Sequence, residues 1–170
     1  MMTNRERVVL HTLHAAGRPL EKLTLVKLLF LVRQETSVAD QIPFYDFVPY
    51  QYGPFSFVLY NDLRRLEKQG LVHESKDKVE LAVGPNSQEA YLALKRKVTD
   101  AVAVILSRYG GLKPQMIVDY VYGQYPWFAS RSKLRPQAEA REAPVAAYTV
   151  GYEGRSLDAF LDYLLKKGIR

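Results

Sequence analysis

The sequence predicts a mainly α-helical protein with a small β-hairpin, because a helical segment, a glycine and two short apolar runs follow one another in mid-chain. Residues 56–69 place three leucines at helical spacing on one side and polar or basic residues on the other. Gly70 stands where a helix C-terminal cap belongs. Residues 71–83 form two apolar runs around a polar turn at 75–77, which predicts a hairpin. A recognition helix followed by a wing has this layout, so a winged-helix-like domain is expected.

The composition divides the chain into a domain, a linker and a fragment. Residues 1–129 hold nearly all of the helical apolar patterning and form the predicted winged-helix-like domain. Residues 130–147 contain two prolines and no large apolar residue except Leu134, which predicts a linker. Residues 148–170 predict one strand and one helix, the incomplete βα start of a second α/β domain. Such a pair forms no α/β layer alone, so we expect either a longer natural chain or a tail that docks on a partner or on the first domain.

The N-terminal part predicts two helices before the central segment. Thr3 or Asn4 caps a first helix that ends near Ala16. Residues 20–36 predict a second helix that is apolar on nearly all sides, and therefore buried, except for Lys27. Lysine in such a place either lays its aliphatic stem along the core and extends its ammonium to solvent, or meets a specific carboxylate or serves as a functional amine. The first interpretation is the expectation, since buried lysine is rare unless paired.

Residues 44–60 contain eight aromatic side chains and a tight turn at 52–54. Aromatic residues interleaved with basic groups can stack on nucleic-acid bases, but small domains also fill their cores with rings. We expect core packing for most of the eight. Three aromatic residues of the turn region are predicted to contact a partner protein: Tyr50, Tyr52 and Phe55.

The later part of the domain predicts further helices. Residues 87–109 form either one long helix or two helices with a break near 95–97, where three basic residues follow one another. Pro114 suits the first turn of another helix that extends to about Tyr122. Trp127, the only tryptophan, is expected to anchor the end of the compact region.

The chain of 170 residues carries 24 Lys and Arg against 18 Asp and Glu, a formal net charge of +6 with a sequence pI of about 9.4. This excess favours an anionic partner and keeps nucleic acid open as one. Cysteine is absent, which excludes disulfides and thiolate metal sites. The N-terminal residues resemble no signal peptide, and the longest apolar stretch, 23–32, is too short to span a membrane. We therefore predict a cytoplasmic protein without a membrane partner.

Sequence motifs for catalysis are absent. The chain has no phosphate-binding loop, dinucleotide fingerprint, zinc-protease motif or nucleophile elbow. His11 and His14 lie three residues apart on the first predicted helix, but no spacing identifies the third ligand that a metal site needs. We therefore predict no enzyme activity, no cofactor and no metal.

The basic side of the 56–69 segment predicts an alternative, nucleic-acid-binding role. Asn61, Arg64, Arg65 and Lys68 lie opposite the leucines, and Lys76 lies in the predicted wing turn. These five residues are the candidate contacts to nucleic acid, with the helix in the position of a recognition helix. Binding of this kind weakens steeply with salt.

Residues 23–128 resemble the Panacea antitoxin-associated domain, a SocA-like, phage-associated family. The matching motifs are the 27–30 Lys-Leu-Leu-Phe helix, the 49–54 Pro-Tyr-x-Tyr-Gly-Pro turn, the 59–63 Leu-Tyr-x-x-Leu helix, the 70–72 Gly-Leu-Val exit, and the elements around Tyr109-Gly110 and Pro126-Trp127. The resemblance implies a mainly helical domain with a winged-helix-like part. It also implies an antitoxin or adaptor, in phage defence or a toxin–antitoxin pair, that acts by binding protein.

Residues 148–170 resemble the opening of the domain of unknown function numbered 488. That family begins with a similar strand and helix and continues into a second strand. Its resemblance supports a longer natural product with the Panacea-like module as an N-terminal sensor or adaptor. Taken together, the sequence predicts a non-catalytic interaction module of antitoxin or adaptor type, with a DNA-binding winged helix as the alternative.

Overall fold

The computed structural model describes residues 2–82, 93–134, 151 and 154–169, and these residues are mainly helical. The described helices are α1 Asn4–Ala16, α2 Lys22–Glu35, α3 Val38–Gln41, α4 Phe57–Lys68, α5 Arg96–Tyr109, α6 Pro114–Gln124, α7 Pro126–Ala129 and α8 Leu157–Lys166. The described strands are β1 Leu20–Glu21, β2 Val48–Tyr50, β3 Gly53–Phe55, β4 Val72–Glu74 and β5 Lys78–Leu81. The predicted mainly α fold class with a small hairpin is confirmed.

Helix α2 forms the centre of the core, as its all-round apolar pattern predicts. Every residue from Thr24 to Val32 is buried, and α2 contacts α3, α5 and α6. Phe30 on this helix meets three rings edge-to-face at centroid distances of 4.7–5.4 Å, those of Phe47, Tyr125 and Phe128. Each such pair contributes about 0.5–1.5 kcal/mol beyond its buried area. Helix α2 is therefore the element against which the other parts of the domain are positioned.

Helices α1 and α4 begin and end at the residues that local capping chemistry selects. Thr3 caps α1 in a capping box with Glu6, whose carboxylate accepts the Thr3 backbone N–H at 2.6 Å. Ser56 caps α4 by accepting a hydrogen bond from the N–H of Leu59. Gly70 follows α4 with a φ of 68°, in the left-handed region where glycine carries no Cβ penalty.

A three-stranded antiparallel sheet with the order β1-β5-β4 lies beside the C-terminal end of α4. Strands β4 and β5 form the predicted hairpin, in which Val72 pairs with Leu81. Strand β1, between α1 and α2, pairs with β5 through Leu20 and Val79, both of which are buried. The chain order up to this sheet is therefore α1, β1, α2, α3, the paired strands β2 and β3, α4 and the β4–β5 hairpin.

A second, two-stranded sheet joins β2 to β3 through a two-residue turn, with Tyr50 opposite Gly53. Gly53 has a φ of 86°, and a Cβ placed on it would lie 2.7 Å from Cε1 of Tyr122. Only glycine fits this position, because both the backbone conformation and the approach of Tyr122 exclude a side chain. The turn residues are 51 and 52, so Gly53 and Pro54 of the predicted 52–54 turn belong to β3, and the hairpin is fixed against α6.

The C-terminal predictions fall partly outside the described residues. Residues 135–147 of the predicted linker, and the predicted strand at 148–152 apart from Gly151, lie there, as does the 87–92 part of the predicted 87–109 helix. Helix α8 is present, capped by Ser156, and it contacts α7. Two aspartates hold it there: Asp162 accepts the backbone N–H of Trp127 at 2.7 Å, and Asp158 accepts its indole N–H at 3.2 Å.

None of the helices in the described ranges has the length and apolar character needed to cross a membrane.

Candidate functional site

Helix α4 separates a buried leucine side from an outward face. Leu59, Leu63 and Leu66 are at most 1% exposed, which confirms the predicted burial of this side. Asn61, Arg64 and Lys68 face outward and are exposed. Within the described part of the chain, no acidic side chain forms an ion pair with Arg64 or Lys68.

Arg65 differs from the expectation of an arginine that faces only solvent. Its side chain is 48% exposed, but its guanidinium lies 2.6 Å from Oε1 of Glu6 on α1 and 3.6 Å from Oδ1 of Asp62. Glu6 is fully buried; burial raises its pKa, but hydrogen bonds from Thr3 and Arg65 outweigh that effect and leave the pKa lowered. Arg65 therefore joins α4 to α1, and fewer of its guanidinium N–H groups are left to bind an external anion.

The remaining candidate for nucleic-acid contact, Lys76, is exposed in the turn between β4 and β5. Ser75 closes this turn, with its N–H bonded to the carbonyl oxygen of Lys78 at 2.9 Å. The structure thus places Asn61, Arg64 and Lys68 on one helix face, Lys76 on the adjacent hairpin, and Arg65 in an internal ion pair.

A chain of touching rings covers the first turn of α4 and the β2–β3 hairpin. Phe55 lies at its centre, with ring centroids 4.9 Å from Tyr50, 4.8 Å from Phe57 and 4.6 Å from Tyr60. Tyr50 and Phe57 also meet edge-to-face at 5.8 Å. We call these four residues, Tyr50, Phe55, Phe57 and Tyr60, the aromatic surface. Tyr50 and Phe57 are exposed, and Phe55 and Tyr60 are half-buried between the outer rings and the core. A continuous apolar area at the surface marks interaction sites in soluble proteins.

The exposure of these rings differs from the expectation that most of the eight aromatic residues pack in the core. Four of them enter or pack against the core: Phe44, Tyr45, Phe47 and Tyr60. Phe57 is 59% exposed, Tyr52 53% and Tyr50 38%, and Val48 and Val58 beside them are exposed as well. The reason is that the β2–β3 hairpin and the first turn of α4 lie at the surface, so only one side of each packs on the core and the side chains of the other side are exposed.

Phe57 has the most exposed ring of the eight aromatic residues at 44–60, and it was not among the residues predicted to bind a partner. The sequence spacing could have indicated its exposure, since Phe57 directly follows the Ser56 cap and lies on the side of α4 opposite the three buried leucines. Placing an aromatic residue on that polar side predicts either a surface contact or an aggregation hazard.

Lys27 contacts the β2–β3 turn from the core side. The prediction that its ammonium extends to solvent is wrong. Its side chain is 0% exposed, and Nζ donates a hydrogen bond to the backbone carbonyl oxygen of Tyr52. The other interpretation, a specific carboxylate partner, is also not what the structure shows, because the acceptor is a main-chain oxygen. Burial lowers the pKa of Lys27 from 10.5 to about 7.

The surroundings of Lys27 make it a structural amine. Nζ lies 3.1 Å from the position that a Cβ on Gly53 would occupy, next to the ring of Tyr122. The hydroxyl of Tyr122 is hydrogen-bonded to Ser132, and the Lys133 N–H donates to the carbonyl oxygen of Gln51 at 2.8 Å. The turn that presents Tyr50 and Tyr52 is therefore held by α2, by α6 and by the segment after α7.

A polar cluster surrounds Glu35 at the end of α2, and no pattern in the sequence predicted it. Its carboxylate accepts hydrogen bonds of 2.8–3.3 Å from the hydroxyls of Tyr109, Tyr120 and Tyr125, and Arg108 lies 3.6 Å away. The pKa values of Tyr109 and Tyr125 are raised, first by burial and then by the carboxylate and the neighbouring hydroxyls. These groups are separated by 74 to 90 residues in the chain, so no sequence spacing identifies the cluster. Because every hydroxyl is engaged with Glu35, the cluster ties α2 to α5 and α6.

Among the residues that the structure describes, no group of three or more His, Asp or Glu side chains is placed to hold a metal ion. Comparison of the chain with protein-family models and with curated proteins found no match.

Proposed function

We propose that this protein is a non-catalytic interaction module of antitoxin or adaptor type, which binds a partner protein through the aromatic surface. The observation that supports this function best is the exposure of Phe57 and Tyr50 within a continuous chain of rings. The resemblance of residues 23–128 to Panacea domains agrees with it, since it implies action by protein binding.

The energy available at this surface is sufficient for a binding hot spot. A phenylalanine buries roughly 200 Å², so covering the 59% of Phe57 that is exposed removes roughly 120 Å² from water and stabilises a complex by about 3 kcal/mol. Aromatic anchors of this size dominate protein interfaces. The hairpin beneath the rings is held by Lys27 and by the approach of Tyr122 to Gly53, so little conformational entropy is lost on binding.

Site-specific photo-crosslinking tests the proposal. A photoreactive phenylalanine analogue replaces Phe57 in the full chain, which is expressed in its native host. The matched control places the same analogue at Met116 on α6, whose exposure of 51% is similar. We expect one defined protein adduct from position 57 and none from position 116. Equal labelling from both positions, or no protein adduct from position 57, contradicts the proposal.

A second candidate function is DNA binding by a winged helix. Two observations support it. The elements α1, β1, α2, α4 and the β4–β5 hairpin follow one another in this order, with α3 and the β2–β3 strands inserted between α2 and α4, and the sheet order is β1-β5-β4. In addition, Arg64 and Lys68 on α4 are exposed. Helix α4 would then lie in the major groove and the hairpin would act as the wing.

Fluorescence anisotropy with labelled duplex DNA at increasing salt tests this second function. Each lost phosphate contact reduces the slope of log affinity against log salt by about 0.9, so the Arg64→Ala/Lys68→Ala variant is expected to lose about two units. Lys97→Ala, on an exposed lysine of α5, is the matched control. Binding that is indifferent to salt, or equal in all three proteins, excludes α4 as a recognition helix.

A further inference from the structure

We infer that the segment that docks on the aromatic surface is an acidic amphipathic helix of the partner protein. This inference rests on the proposed function and adds the chemistry of the partner to it. Three features of the surface support it: its charge, its shape along α4, and the absence of backbone donors at its strand edge.

The outward face of α4 changes from aromatic to basic along its length. Phe57, Arg64 and Lys68 are separated by seven and four residues, which places them one above another on the helix, with Tyr60 beside them. At 1.5 Å per residue, the stripe from Phe57 to Lys68 is about 16 Å long. A partner that follows this stripe must therefore present apolar side chains and, about two turns further on, negative charge.

The two cations of the stripe are available to an external anion. Arg65 is committed to buried Glu6, but no described acidic side chain pairs with Arg64 or Lys68. Glu67 flanks the stripe, and its Oε1 accepts the backbone N–H of Glu74 at 3.2 Å, which directs that oxygen toward β4. The formal net charge of +6 adds a long-range attraction for acidic segments.

The strand edge beside the rings does not accept an added strand. Tyr50 lies opposite Gly53 across the two-residue turn, so the backbone groups of this pair hydrogen-bond to each other between the strands. The backbone groups of the next pair, Pro49 and Pro54, then point away from the partner strand, toward the edges of the sheet. Proline has no N–H, so neither β2 nor β3 offers a donor at its outward position. An extended peptide would find no ladder there, whereas a helix satisfies its own backbone and docks through side chains.

The arrangement of the rings favours protein over single-stranded nucleic acid. Phe55 and Tyr60 stack on one another at 4.6 Å with an interplanar angle of 23°, and Phe57 directs its contact with Phe55 edge-to-face. A nucleic-acid base stacks on an aromatic side chain only where a face of that side chain's ring is free. Here Phe55 and Tyr60 cover each other's faces, and the exposed parts of Phe57 and Tyr50 add an apolar outer surface that suits aliphatic side chains.

Selection from a displayed library of random peptides of about 14 residues, long enough for three to four helical turns, tests the inference on the full chain. We expect enriched peptides that combine apolar residues at helical spacing with Asp or Glu. The best peptide is then measured by anisotropy beside a version with every acidic residue changed to Lys and a version with Pro at its centre. Both changes are expected to weaken binding about tenfold or more.

The Arg64→Glu/Lys68→Glu variant is expected to reverse the preference toward the Lys-containing peptide, while Lys97→Glu on α5 leaves it unchanged. Phe57→Ser should weaken both peptides about tenfold or more, and unchanged thermal unfolding shows that each variant folds. Enrichment of neutral or basic peptides, binding that survives the central proline, or tighter binding of single-stranded DNA than of any peptide overturns the inference. A defined crosslink at position 57 in the same protein would still support the proposed function.

Discussion

Replacement of Lys27 by methionine should change how the stability of this protein depends on pH. Lys27 is fully buried and donates to the carbonyl oxygen of Tyr52. Methionine has a similar length and fills the same space without a charge. The wild-type protein therefore contains one buried amine whose protonation opposes folding, and the variant contains none.

The magnitude follows from the lowered pKa of Lys27. Burial brings this pKa from 10.5 to about 7, so between these values the unfolded chain binds a proton that the folded protein does not. The free energy of unfolding therefore rises with pH, by up to about 1.4 kcal/mol per pH unit. Below about pH 7 both states bind the proton, so the full cost of burying the charged amine opposes folding. From about pH 7.5 to about pH 9.5, wild type should gain about 2–3 kcal/mol relative to Lys27→Met.

Urea denaturation followed by the fluorescence of Trp127 measures this gain. With a slope of about 2.5 kcal/mol per molar urea, the wild-type midpoint should move by about 1 M relative to the variant over that pH range. Lys97→Met, at an exposed lysine of α5, is the matched control and should run parallel to wild type. If Lys27→Met also runs parallel to wild type, the amine is not desolvated as the structure indicates.

Three further changes probe the other contacts. Gly53→Ala should lower the free energy of unfolding in urea by about 2–3 kcal/mol, because the new Cβ would meet Tyr122. Gly17→Ala, which has open space around it, should cost only about 1–2 kcal/mol, since it adds left-handed backbone strain alone. Equal losses in the two variants would contradict the close approach of Tyr122. Arg65→Ala removes the ion pair of the buried Glu6 carboxylate and leaves it only the hydrogen bonds from Thr3. Because the folded pKa of Glu6 is lowered, the fall in melting temperature should be present at pH 7 and shrink at about pH 3, and a constant fall would refute the ion pair. Glu35→Gln should lower the raised pKa values of Tyr109 and Tyr125, which ultraviolet alkaline titration measures. An unchanged titration would show that the carboxylate has no influence on these two hydroxyls.

Local chemistry in the sequence was sufficient to predict most of the helical framework. The caps of α1 and α4, the glycine after α4 and the hairpin that follows depend on residues within about four positions of one another, the range of helical and turn hydrogen bonds. The spacing of Leu59, Leu63 and Leu66 likewise fixed which side of α4 is buried. The partner-binding residues were predicted in part, since Tyr50 and Tyr52 are exposed and Phe55 lies at the centre of the rings.

The tertiary structure alone decided the roles of the charged residues. Lys27 is 25 residues from Tyr52, Arg65 is 59 from Glu6, and Glu35 is 74 or more from its tyrosines. Such pairs meet only when helices pack, and the sequence pattern specifies that a side is buried but not which side chain of another element covers it. Whether a charged group ends in water or against a carbonyl oxygen therefore depends on the packed neighbours, because burial and hydrogen bonding determine the free energy of its charge.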